Sequence, residues 1–358
     1  MIAKDSRRLR IGVLGCGPIA QFAHLESCVK ARNVDLYAIC DAAPDLLDRM
    51  GATYEPQKRY ADYDAMLADP QVEAVIVAIS DAFHVPMAKR ALEAGKHVLC
   101  EKPLGTNVAE VLALRDLVAK TGLTLQVGHM KRFDPGLEAA RDFIDNGMGE
   151  QLALKAWYCD STHRYTMTDA VQPLPITSKL AKKPEGNQKA DLGRYYMLAH
   201  GSHLVDTARF LCGPIDWVRA RRLERFGAWC WFVETQFENG VLGHLDLTVA
   251  VRMDWFEGFQ LYGEKGSVGA RTYNPWYFRS SDVEIFHESD ATYRRPLGAD
   301  GHFFRRQVEG FADTILNGTP QRGADIEDGL ASVRAMAAIA ASATSGEAVR
   351  VAHFEGAV

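Results

Sequence analysis

Residues 15–20 of this sequence read Gly-Cys-Gly-Pro-Ile-Ala and have the types and spacing of a phosphate-binding turn, G-x-G-x-x-A. The turn lies directly between an apolar run and a helical pattern, which is the context that this motif requires. Gly15 allows a tight turn, Gly17 lets the backbone approach a pyrophosphate, and Ala20 lets the helix pack closely on the strand. The helix N-terminus offers N–H groups to phosphate oxygens, and Pro18 suits the first helical turn. These residues predict a dinucleotide site; the alternative is a glycine-rich turn without a ligand.

An acidic residue follows the second apolar run. Asp41 comes about 20 residues after the glycines, where a carboxylate can accept hydrogen bonds from the adenosine ribose hydroxyls. The same charge would repel the 2′-phosphate of NADP, and the next residues, Ala42 and Ala43, supply no cation to hold it. The sequence therefore favours NAD over NADP. The alternative is that Asp41 only caps the following helix.

The elements that position these residues follow an alternating pattern. Short apolar runs alternate with helical patterns through about the first 125 residues, which predicts strands of a parallel sheet joined by right-handed crossovers. The sequence thus predicts a Rossmann fold, a doubly wound parallel sheet, at the N-terminus. The predicted strands are Arg10–Leu14, Leu36–Cys40, Ala74–Ala78, His97–Leu99 and Leu123–Val127, and the clearest helices are Pro18–Ala31, Pro86–Ala94 and Asn107–Lys120.

Around residue 130 the pattern changes. Long strand-like runs between Trp217 and Val268, with a turn signal at Asn239-Gly240 and another candidate at Gly263–Gly266, predict an α+β domain with a large, mostly antiparallel open sheet. We predict a NAD-binding domain over 1–128, a substrate and oligomerisation domain over 129–302, and C-terminal helices over 303–358 that pack back on the core. The polar segment 164–191 has no period and is long for a loop, which is typical of lids and binding loops. The predicted helices of this part are Pro135–Asn146, about Tyr196–Leu211, Phe303–Asn317 and Asp325–Ser345.

Composition narrows the class of protein. The chain has 358 residues and a net charge of −5 without a basic tail, which does not support nucleic-acid binding. No apolar stretch approaches the length that crosses a bilayer, and no apolar region of a secretory signal precedes the first strand. The seven cysteines are scattered and predict free thiols in a reducing compartment, so we expect a cytoplasmic protein. No ligand spacing predicts a metal site.

Several short motifs occur in a specific order along the chain. Glu101-Lys102-Pro103 follows the strand pattern at His97–Leu99, Gly128–Asp134 reads GHMKRFD, and Gly201-Ser202-His203 lies on a later helix. With the glycine turn and Ile79–His84, they resemble the Gfo/Idh/MocA oxidoreductase family over essentially the whole chain. The resemblance implies oxidation of a sugar or cyclitol hydroxyl, or the reverse reduction, with NAD or NADP. It also implies a homodimer or homotetramer formed through the C-terminal sheet, for which the strand patterns Trp229–Phe237 and Val241–Val251 supply apolar surface.

The resemblance implies roles for four residues. Lys102 would hydrogen-bond the reacting hydroxyl, where a cation stabilises an alkoxide-like oxygen. His203 would act as the general base, since the pKa of histidine lies near neutrality. Glu101 would contact the cofactor ribose, and Pro103 is a candidate for a preceding cis peptide bond. The alternatives are a surface lysine at a strand end and a histidine of the core.

The sequence departs from the family pattern at Ala199. Many members carry an aspartate there, four residues before the histidine; this chain has His200 next to that position and Asp206 three residues after His203. A histidine at position 200 also resembles a subgroup of NAD-dependent glycosidases that oxidise a sugar hydroxyl transiently, eliminate the aglycone, add water and re-reduce. Two functions therefore stay open, a dehydrogenase and a redox-neutral glycosidase, and His200 is either catalytic or an ordinary helix residue. A non-catalytic NAD-binding regulator would not need Lys102 together with His203.

The remaining candidate residues follow from the family resemblance and from the polarity of their side chains. Arg132, His163 and Arg164 could hold an acidic group, such as a uronate or a sulfonated sugar, or could be solvated surface charges. Trp255, Trp276 and Tyr277 could stack on a sugar face, although aromatics at strand spacing are more often core residues. The expected cofactor-binding residues are Gly15, Gly17, Pro18, Ile19, Ala20, Asp41, Ile79, Ser80, His84, Glu101, Lys102 and Arg132. The expected substrate-binding residues are Lys102, His129, Arg132, His163, Arg164, Tyr195, His200 and His203, of which Lys102, His200 and His203 are the catalytic candidates.

Overall fold

The N-terminal part of the molecule is a six-stranded, wholly parallel sheet with the strand order β3-β2-β1-β4-β5-β6. The computed structural model describes residues 7–163, 169, 172–182, 184, 189–298 and 300–358. The predicted Rossmann fold is confirmed. The sixth strand, β3, was not predicted because its three residues, Lys-Arg-Tyr, are largely exposed and form no apolar run. The strands are β1 (Leu9–Leu14), β2 (Val34–Cys40), β3 (Lys58–Tyr60), β4 (Ala74–Val77), β5 (His97–Cys100) and β6 (Leu125–Val127).

Helices connect these strands and bury their apolar sides on the sheet. The first helix, α1, begins after the glycine turn with a wider π-helical turn and continues as a regular helix. π-Helical turns are rare and frequently occur at functional sites. The helix bounds are α1 (Ala20–Leu25 and Glu26–Lys30), α2 (Pro44–Tyr54), α3 (Tyr63–Ala68), α4 (His84–Glu93) and α5 (Val108–Thr121).

The second sheet has nine strands in the order β14-β13-β12-β11-β7-β10-β9-β8-β15. Its pairs are antiparallel except for β10 with β7, so the predicted large, mostly antiparallel sheet is confirmed. The turns predicted at Asn239-Gly240 and Gly263–Gly266 join β9 to β10 and β11 to β12. The strands are β7 (Gln151–Ser161), β8 (Ile215–Arg225), β9 (Ala228–Phe237), β10 (Leu242–Val251), β11 (Phe256–Gly263), β12 (Gly266–Thr272), β13 (Asp282–His287), β14 (Thr292–Arg294) and β15 (Val349–Arg350).

The two faces of this sheet differ. Buried and exposed residues alternate along β9, so that Trp231 and Val233 face the core while Phe232 is half exposed on the outer face. Three helices cover the inner face, and a fourth packs on the N-terminal part instead. The three are α6 (Pro135–Asn146), α7 (Leu192–Tyr196, Met197–Gly201 and Ser202–Cys212) and α9 (Ile326–Ser345), of which α9 packs on β8 and α5. The fourth, α8 (Phe303–Asn317), packs on α1.

Helix α7 carries both candidate catalytic histidines and is not regular. Residues Met197–Gly201 form a π-helical turn between two α-helical segments, and this turn contains Ala199 and His200. The helix ends before Gly213, whose φ of +86° suits a residue without a side chain. The predicted range of about Tyr196–Leu211 was therefore short by one turn at its N-terminus.

Three further observations concern the class of protein and its chemistry. No helix within the described part of the chain is long and apolar enough to cross a membrane. The described residues contain no group of three or more His, Cys, Asp or Glu side chains that could hold a metal ion. All seven cysteines are free, as predicted.

Candidate active site

A groove of about 560 Å³ lies at the carboxyl edge of the parallel sheet. Ligands of doubly wound sheets bind at this edge, where the strand order reverses beside β1. The described lining includes Gly15, Gly17, Pro18, Ile19, Asp41, Ile79 and Ser80, all of which the sequence predicts to bind the cofactor. Ala20, the first residue of α1, is fully buried.

The two glycines of the turn have different surroundings. A Cβ atom on Gly15 would lie 2.3 Å from the carbonyl oxygen of Ala78, and the φ of Gly15 is +104°. A Cβ atom on Gly17 would meet no atom within 4 Å. The structure therefore requires glycine at position 15 for its own packing. At position 17 the free space adjoins the groove, which fits a pyrophosphate lying against the backbone.

The carboxylate of Asp41 has two structural contacts at the groove. Its Oδ2 accepts a hydrogen bond from the Cys16 N–H at 2.7 Å, and its Oδ1 accepts one from the Ala43 N–H at 2.8 Å. Asp41 thus anchors the glycine turn and the backbone that precedes α2 while it lines the groove. Each carboxylate oxygen keeps acceptor capacity for a ribose hydroxyl.

Cofactor preference can be tested at this point. We expect the double variant Asp41→Ser, Ala42→Arg to shift the ratio of NADP to NAD affinity at least about 100-fold, because it removes a repelling charge and adds a phosphate-binding one. Titration of each nucleotide against the protein measures the ratio. Ala42→Arg alone is the control, since it retains Asp41. An unchanged ratio in the double variant would show that Asp41 does not select the cofactor.

A segment of the C-terminal part crosses the mouth of the groove. We call residues 172–182 the crossing segment. The side chain of Gln21 donates to the Ile176 carbonyl at 2.8 Å and accepts from the Ile176 N–H at 2.9 Å. Further along, Ala181 and Lys182 line the groove. This described part of the polar region adds a wall to the nucleotide groove, and its role as a binding loop stays a prediction.

A second cavity, of about 550 Å³, adjoins the groove and contains the candidate catalytic residues. Lys102, Tyr195, His200 and His203 all line it, as do Glu101 and His84. The ammonium group of Lys102 donates a hydrogen bond to the Ala199 carbonyl at 3.0 Å. That carbonyl lies in the π-helical turn of α7, so the irregular turn brings a backbone acceptor to the lysine.

His203 is half buried in this cavity beside positive charges. Its ring lies parallel to that of Tyr158, with the centroids 5.8 Å apart. Burial lowers the pKa of His203 well below the usual value, and the nearby charges of Lys102, Lys131 and two other histidines lower it further. A neutral imidazole at neutral pH is the form that accepts a proton.

The lowered pKa of His203 predicts the pH dependence of oxidation. Desolvation and neighbouring cations disfavour the imidazolium, so the ring stays neutral as the pH falls to about 6.5, where an ordinary histidine is half protonated. We expect kcat/KM for oxidation to stay level through this range and to fall only at lower pH. A pH profile with the midpoint of its acid limb at or above 6.5 would contradict this assignment.

His200 has a different environment from His203. Its Nδ1 lies 3.2 Å from the Tyr158 hydroxyl, and its Nε2 lies 3.4 Å from Oδ2 of Asp160. All three side chains are almost fully buried. A carboxylate therefore reaches this imidazole from β7, although α7 offers only alanine at position 199.

Glu101 is held by a histidine that the sequence does not single out. Nε2 of the buried His24 lies 2.8 Å from Oε1 of Glu101, and the Lys102 N–H donates to Oε2 at 3.1 Å. Burial opposes ionisation of Glu101, but the hydrogen bond and charge of His24, together with Lys102, outweigh it and lower the pKa of Glu101. Glu101 is thus an anion that fixes the backbone next to Lys102.

His84 links two turns of the cavity wall. Its Nδ1 lies 2.7 Å from the Pro103 carbonyl oxygen, and its Nε2 lies 3.1 Å from that of Ile79. The peptide bond between Lys102 and Pro103 is cis, as expected. Through these contacts His84 ties the turn that carries Lys102 to the turn that lines the nucleotide groove.

Other predicted site residues lie elsewhere. Arg132, expected at the cofactor and substrate, is buried and bonds to Asp206 and Asp328 between helices, so its charge is already neutralised within the fold. Asp206, three residues after His203, is paired with Arg132. His129 is buried with Nδ1 3.7 Å from Asp206 and lies outside the described lining of the cavity.

Two further residues that the sequence predicts to bind substrate are His163 and Arg164. His163 is exposed at the end of β7, its N–H donates to the Ser161 hydroxyl at 2.9 Å, and it lies outside the described lining of the cavity. Arg164 lies outside the described residues. Of the aromatic candidates, Trp255 and Trp276 line the cavity, whereas Tyr277 is exposed outside its described lining.

The sequence analysis did not select four residues that lie at the site. They are Gln21, His24, Tyr158 and Asp160, and none belongs to a recognisable motif. Tyr158 and Asp160 are two residues apart on a strand and therefore share a face, which is the one signal that the sequence contains. Their proximity to His200 depends on how β7 packs against α7, which no local pattern specifies.

Fold and site together define a class of protein, a NAD-binding oxidoreductase. The model described as "Oxidoreductase family, NAD-binding Rossmann fold" matches residues 9–129, and the "GFO/IDH/MocA C-terminal domain" matches residues 140–269. The chain belongs to the Gfo/Idh/MocA oxidoreductase family, which the resemblance predicted. The cofactor is NAD, and the groove with its glycine turn fits this nucleotide.

Relatives and solved structures agree with this assignment. The chain is 25% identical to an uncharacterized oxidoreductase of Bacillus subtilis named YrbE, over 98% of each chain. It is 27% identical to a myo-inositol 2-dehydrogenase of Thermotoga maritima, over 73% of this chain and 75% of that protein. Levoglucosan dehydrogenase in complex with NADH and levoglucosan has the same fold, with a TM-score of 0.79 and 22% identity over 97% of this chain and 100% of that one.

Proposed function

We propose that the protein oxidises a hydroxyl group of a sugar, sugar acid or cyclitol with NAD, or catalyses the reverse reduction. The observation that carries this proposal is the continuity of two cavities: Pro18, Ile19 and Ile79 line both the nucleotide groove and the cavity of Lys102 and His203. A substrate in the second cavity is thereby next to a nucleotide in the first. The relatedness to dehydrogenases of cyclitols supports the same substrate class.

The chain's own residues perform the proton chemistry. In the groove lined by Gly15, Gly17 and Asp41, NAD would supply the acceptor for the hydride of the substrate carbon. Neutral His203 takes the hydroxyl proton, and Lys102 stabilises the negative charge on the same oxygen as the carbonyl forms. The hydrogen bond to Ala199 and the Glu101 backbone contact restrict where the ammonium group lies. Trp255 and Trp276 supply aromatic surface on which a sugar ring can stack and which excludes water.

The charges of the cavity indicate the kind of substrate. Of the lining residues that the structure describes, Lys102 is the one lysine or arginine, whereas Asp81, Glu101 and Asp169 are acids. An anionic sugar would meet these carboxylates and gain only one cation, which the reaction already uses. We therefore favour a neutral sugar or cyclitol over a uronate or sulfonated sugar.

The first experiment separates this function from its alternative. The protein is purified without added cofactor, part of it is unfolded, and the released NAD(H) is quantified. Native protein is then incubated with sugars, cyclitols and aryl glycosides while NADH absorbance and aglycone release are followed. Steady NADH formation on a free sugar or cyclitol supports the dehydrogenase. Aglycone release without accumulating NADH, from protein with stoichiometric NAD, supports the glycosidase and contradicts the first proposal.

The second candidate is the redox-neutral NAD-dependent glycosidase, and two contacts favour it. Such an enzyme must keep its cofactor through the cycle, and the paired hydrogen bonds of Gln21 with Ile176 hold the crossing segment over the groove. It also needs a second proton-transfer group, and His200 with its Asp160 partner lines the same cavity as His203. Because the chain is related to dehydrogenases, we rank the glycosidase below the dehydrogenase.

We also propose that the outer face of the nine-stranded sheet forms a dimer or tetramer interface. Phe232, Leu242 and Phe256, on three strands, are 40–59% exposed on this face. Exposed apolar side chains grouped in this way are typical of interaction surfaces. Light scattering after gel filtration measures the mass, and Phe232→Lys should reduce it to that of one chain. A monomeric wild-type protein would contradict the proposal.

A further inference from the structure

Three polar side chains, of which Tyr158 and His200 line the second cavity, form a row that the dehydrogenase mechanism does not use. Tyr158 lines the cavity, and its hydroxyl lies 3.2 Å from Nδ1 of His200. The opposite ring nitrogen, Nε2, lies 3.4 Å from Oδ2 of Asp160. The exposed fractions are 2%, 4% and 5% respectively, so bulk water does not separate the three groups.

The geometry orders the protons along this chain. A carboxylate accepts a hydrogen bond, so Asp160 favours the His200 tautomer with its proton on Nε2. Nδ1 is then the acceptor, and the Tyr158 hydroxyl donates to it. This is the arrangement of an acid, an imidazole and a hydroxyl in which loss of the hydroxyl proton leaves an imidazolium next to a carboxylate.

A cation and two rings hold Tyr158 in place. The ammonium group of Lys131, which is paired with the buried Glu257, lies 4.9 Å from the centre of the Tyr158 ring. A cation over the face of a ring is attracted by the quadrupole of that ring. The Tyr158 ring also lies against His203 and against Trp255, at 5.8 and 5.0 Å between centroids, which fixes its plane.

We propose that Tyr158 is a second proton-transfer residue of this site, for which His200 and Asp160 are positioning residues. The proposal rests on the proposed oxidation, because a ketone formed by it acidifies the neighbouring C–H bond. The C–H proton moves to the Tyr158 oxygen as the phenol proton moves to Nδ1 of His200. The electron pair of the C–H bond forms an enolate, whose oxygen Lys102 stabilises, and Asp160 compensates the imidazolium. The reverse steps return a proton to the carbon.

This step has a consequence for the reaction class. Oxidation of an alcohol requires the removal of one hydroxyl proton, which His203 can accept. A separate group that acts on a C–H proton lets the ketone exchange that hydrogen with water. It also permits elimination of a substituent on the next carbon, which is the step that the glycosidase candidate needs.

The first test needs no substrate. The protein is labelled with ¹⁵N in its histidines, and the tautomer of each ring is read from long-range ¹H–¹⁵N correlations, with His200 assigned by its loss in His200→Gln. We expect the Nε2–H form in the wild type and loss of this preference in Asp160→Asn. The Nδ1–H form in the wild type would overturn the proposed chain of hydrogen bonds.

The second test measures exchange. The protein, NAD and whichever sugar or cyclitol of the panel gives NADH are incubated in D₂O, and deuterium at the carbon next to the carbonyl is measured by mass spectrometry. We expect Tyr158→Phe, which keeps the ring, to slow exchange at least about 30-fold more than it slows NADH formation. Asp160→Asn should slow exchange in the same direction. Tyr293→Phe, an exposed tyrosine on the same sheet, is the matched control.

The outcomes separate the two proposals. NADH formation without deuterium incorporation, or equal exchange in the wild type and Tyr158→Phe, would overturn the role of Tyr158 and leave the dehydrogenase intact. An equal loss of exchange and NADH formation in Tyr158→Phe would assign the hydroxyl a structural role. This result would also overturn proton transfer by Tyr158. If no member of the panel gives NADH, the proposed oxidation fails, and the tautomer of His200 still decides the hydrogen-bond chain.

Discussion

A His203→Asn variant is expected to bind NAD as tightly as the wild type and to oxidise its substrate at least about 100-fold more slowly. The reason is that His203 is the neutral imidazole beside Lys102 in the substrate cavity, whereas the nucleotide groove has its own lining residues. An asparagine keeps the polarity of the position but accepts no proton. Initial rates of NADH formation, together with a nucleotide titration, measure the two quantities separately.

Replacement of Lys102, which lines the same cavity, should slow oxidation by a comparable factor. Lys102→Met retains the length of the side chain and removes the charge, so we expect a loss of about 100- to 1000-fold in kcat. Because both residues act on the same oxygen, the double variant should lose less than the product of the single losses. His353→Asn, at an exposed position near the C-terminus, is the control for histidine replacement. A fall in NAD affinity that accounts for the whole loss in His203→Asn would contradict a role as general base.

Gly17→Ala is expected to weaken NAD binding about 30-fold, or roughly 2 kcal/mol, without a change in thermal stability. A Cβ atom at this position meets no protein atom within 4 Å, so the fold tolerates it. The methyl group instead occupies space next to the groove, where the backbone must approach the pyrophosphate. Fluorescence titration with NADH and a thermal unfolding curve measure the two effects.

Gly15→Ala is the matched comparison. Its Cβ atom would lie 2.3 Å from the Ala78 carbonyl oxygen, and the residue has a φ of +104°. This variant should therefore lose stability as well as affinity, since backbone atoms must move to accept the methyl group. The proposed position of the pyrophosphate would be wrong if Gly17→Ala bound NAD with wild-type affinity.

Local patterns of the sequence were sufficient for the nucleotide groove. The glycine turn, the acid after β2 and the strand–helix alternation each depend on residues close together in the chain, and the structure places Gly15, Gly17 and Asp41 at one edge of the sheet. The strand β3 was missed because it is short and polar. The large sheet was predicted from alternating patterns and turn residues at Asn239-Gly240, which are again local.

The contents of the substrate cavity depended on the tertiary structure. Arg132 has the polarity of a ligand-binding residue, but only the packing of α7 and α9 shows that Asp206 and Asp328 neutralise it. Likewise, only the packing of β7 against α7 shows that Asp160 lies next to His200.

What the sequence by itself determined is therefore the fold class, the cofactor groove and the two residues that the family motif places in the substrate cavity, Lys102 and His203. What only the tertiary structure decided is which polar groups meet there, above all Tyr158 with His200 and Gln21 with Ile176. The physical reason is that periodicity specifies which face of an element is buried, whereas the partner of a buried polar side chain depends on how distant elements pack. The π-helical turn at Met197–Gly201 adds to this, because it alters the face on which His200 lies.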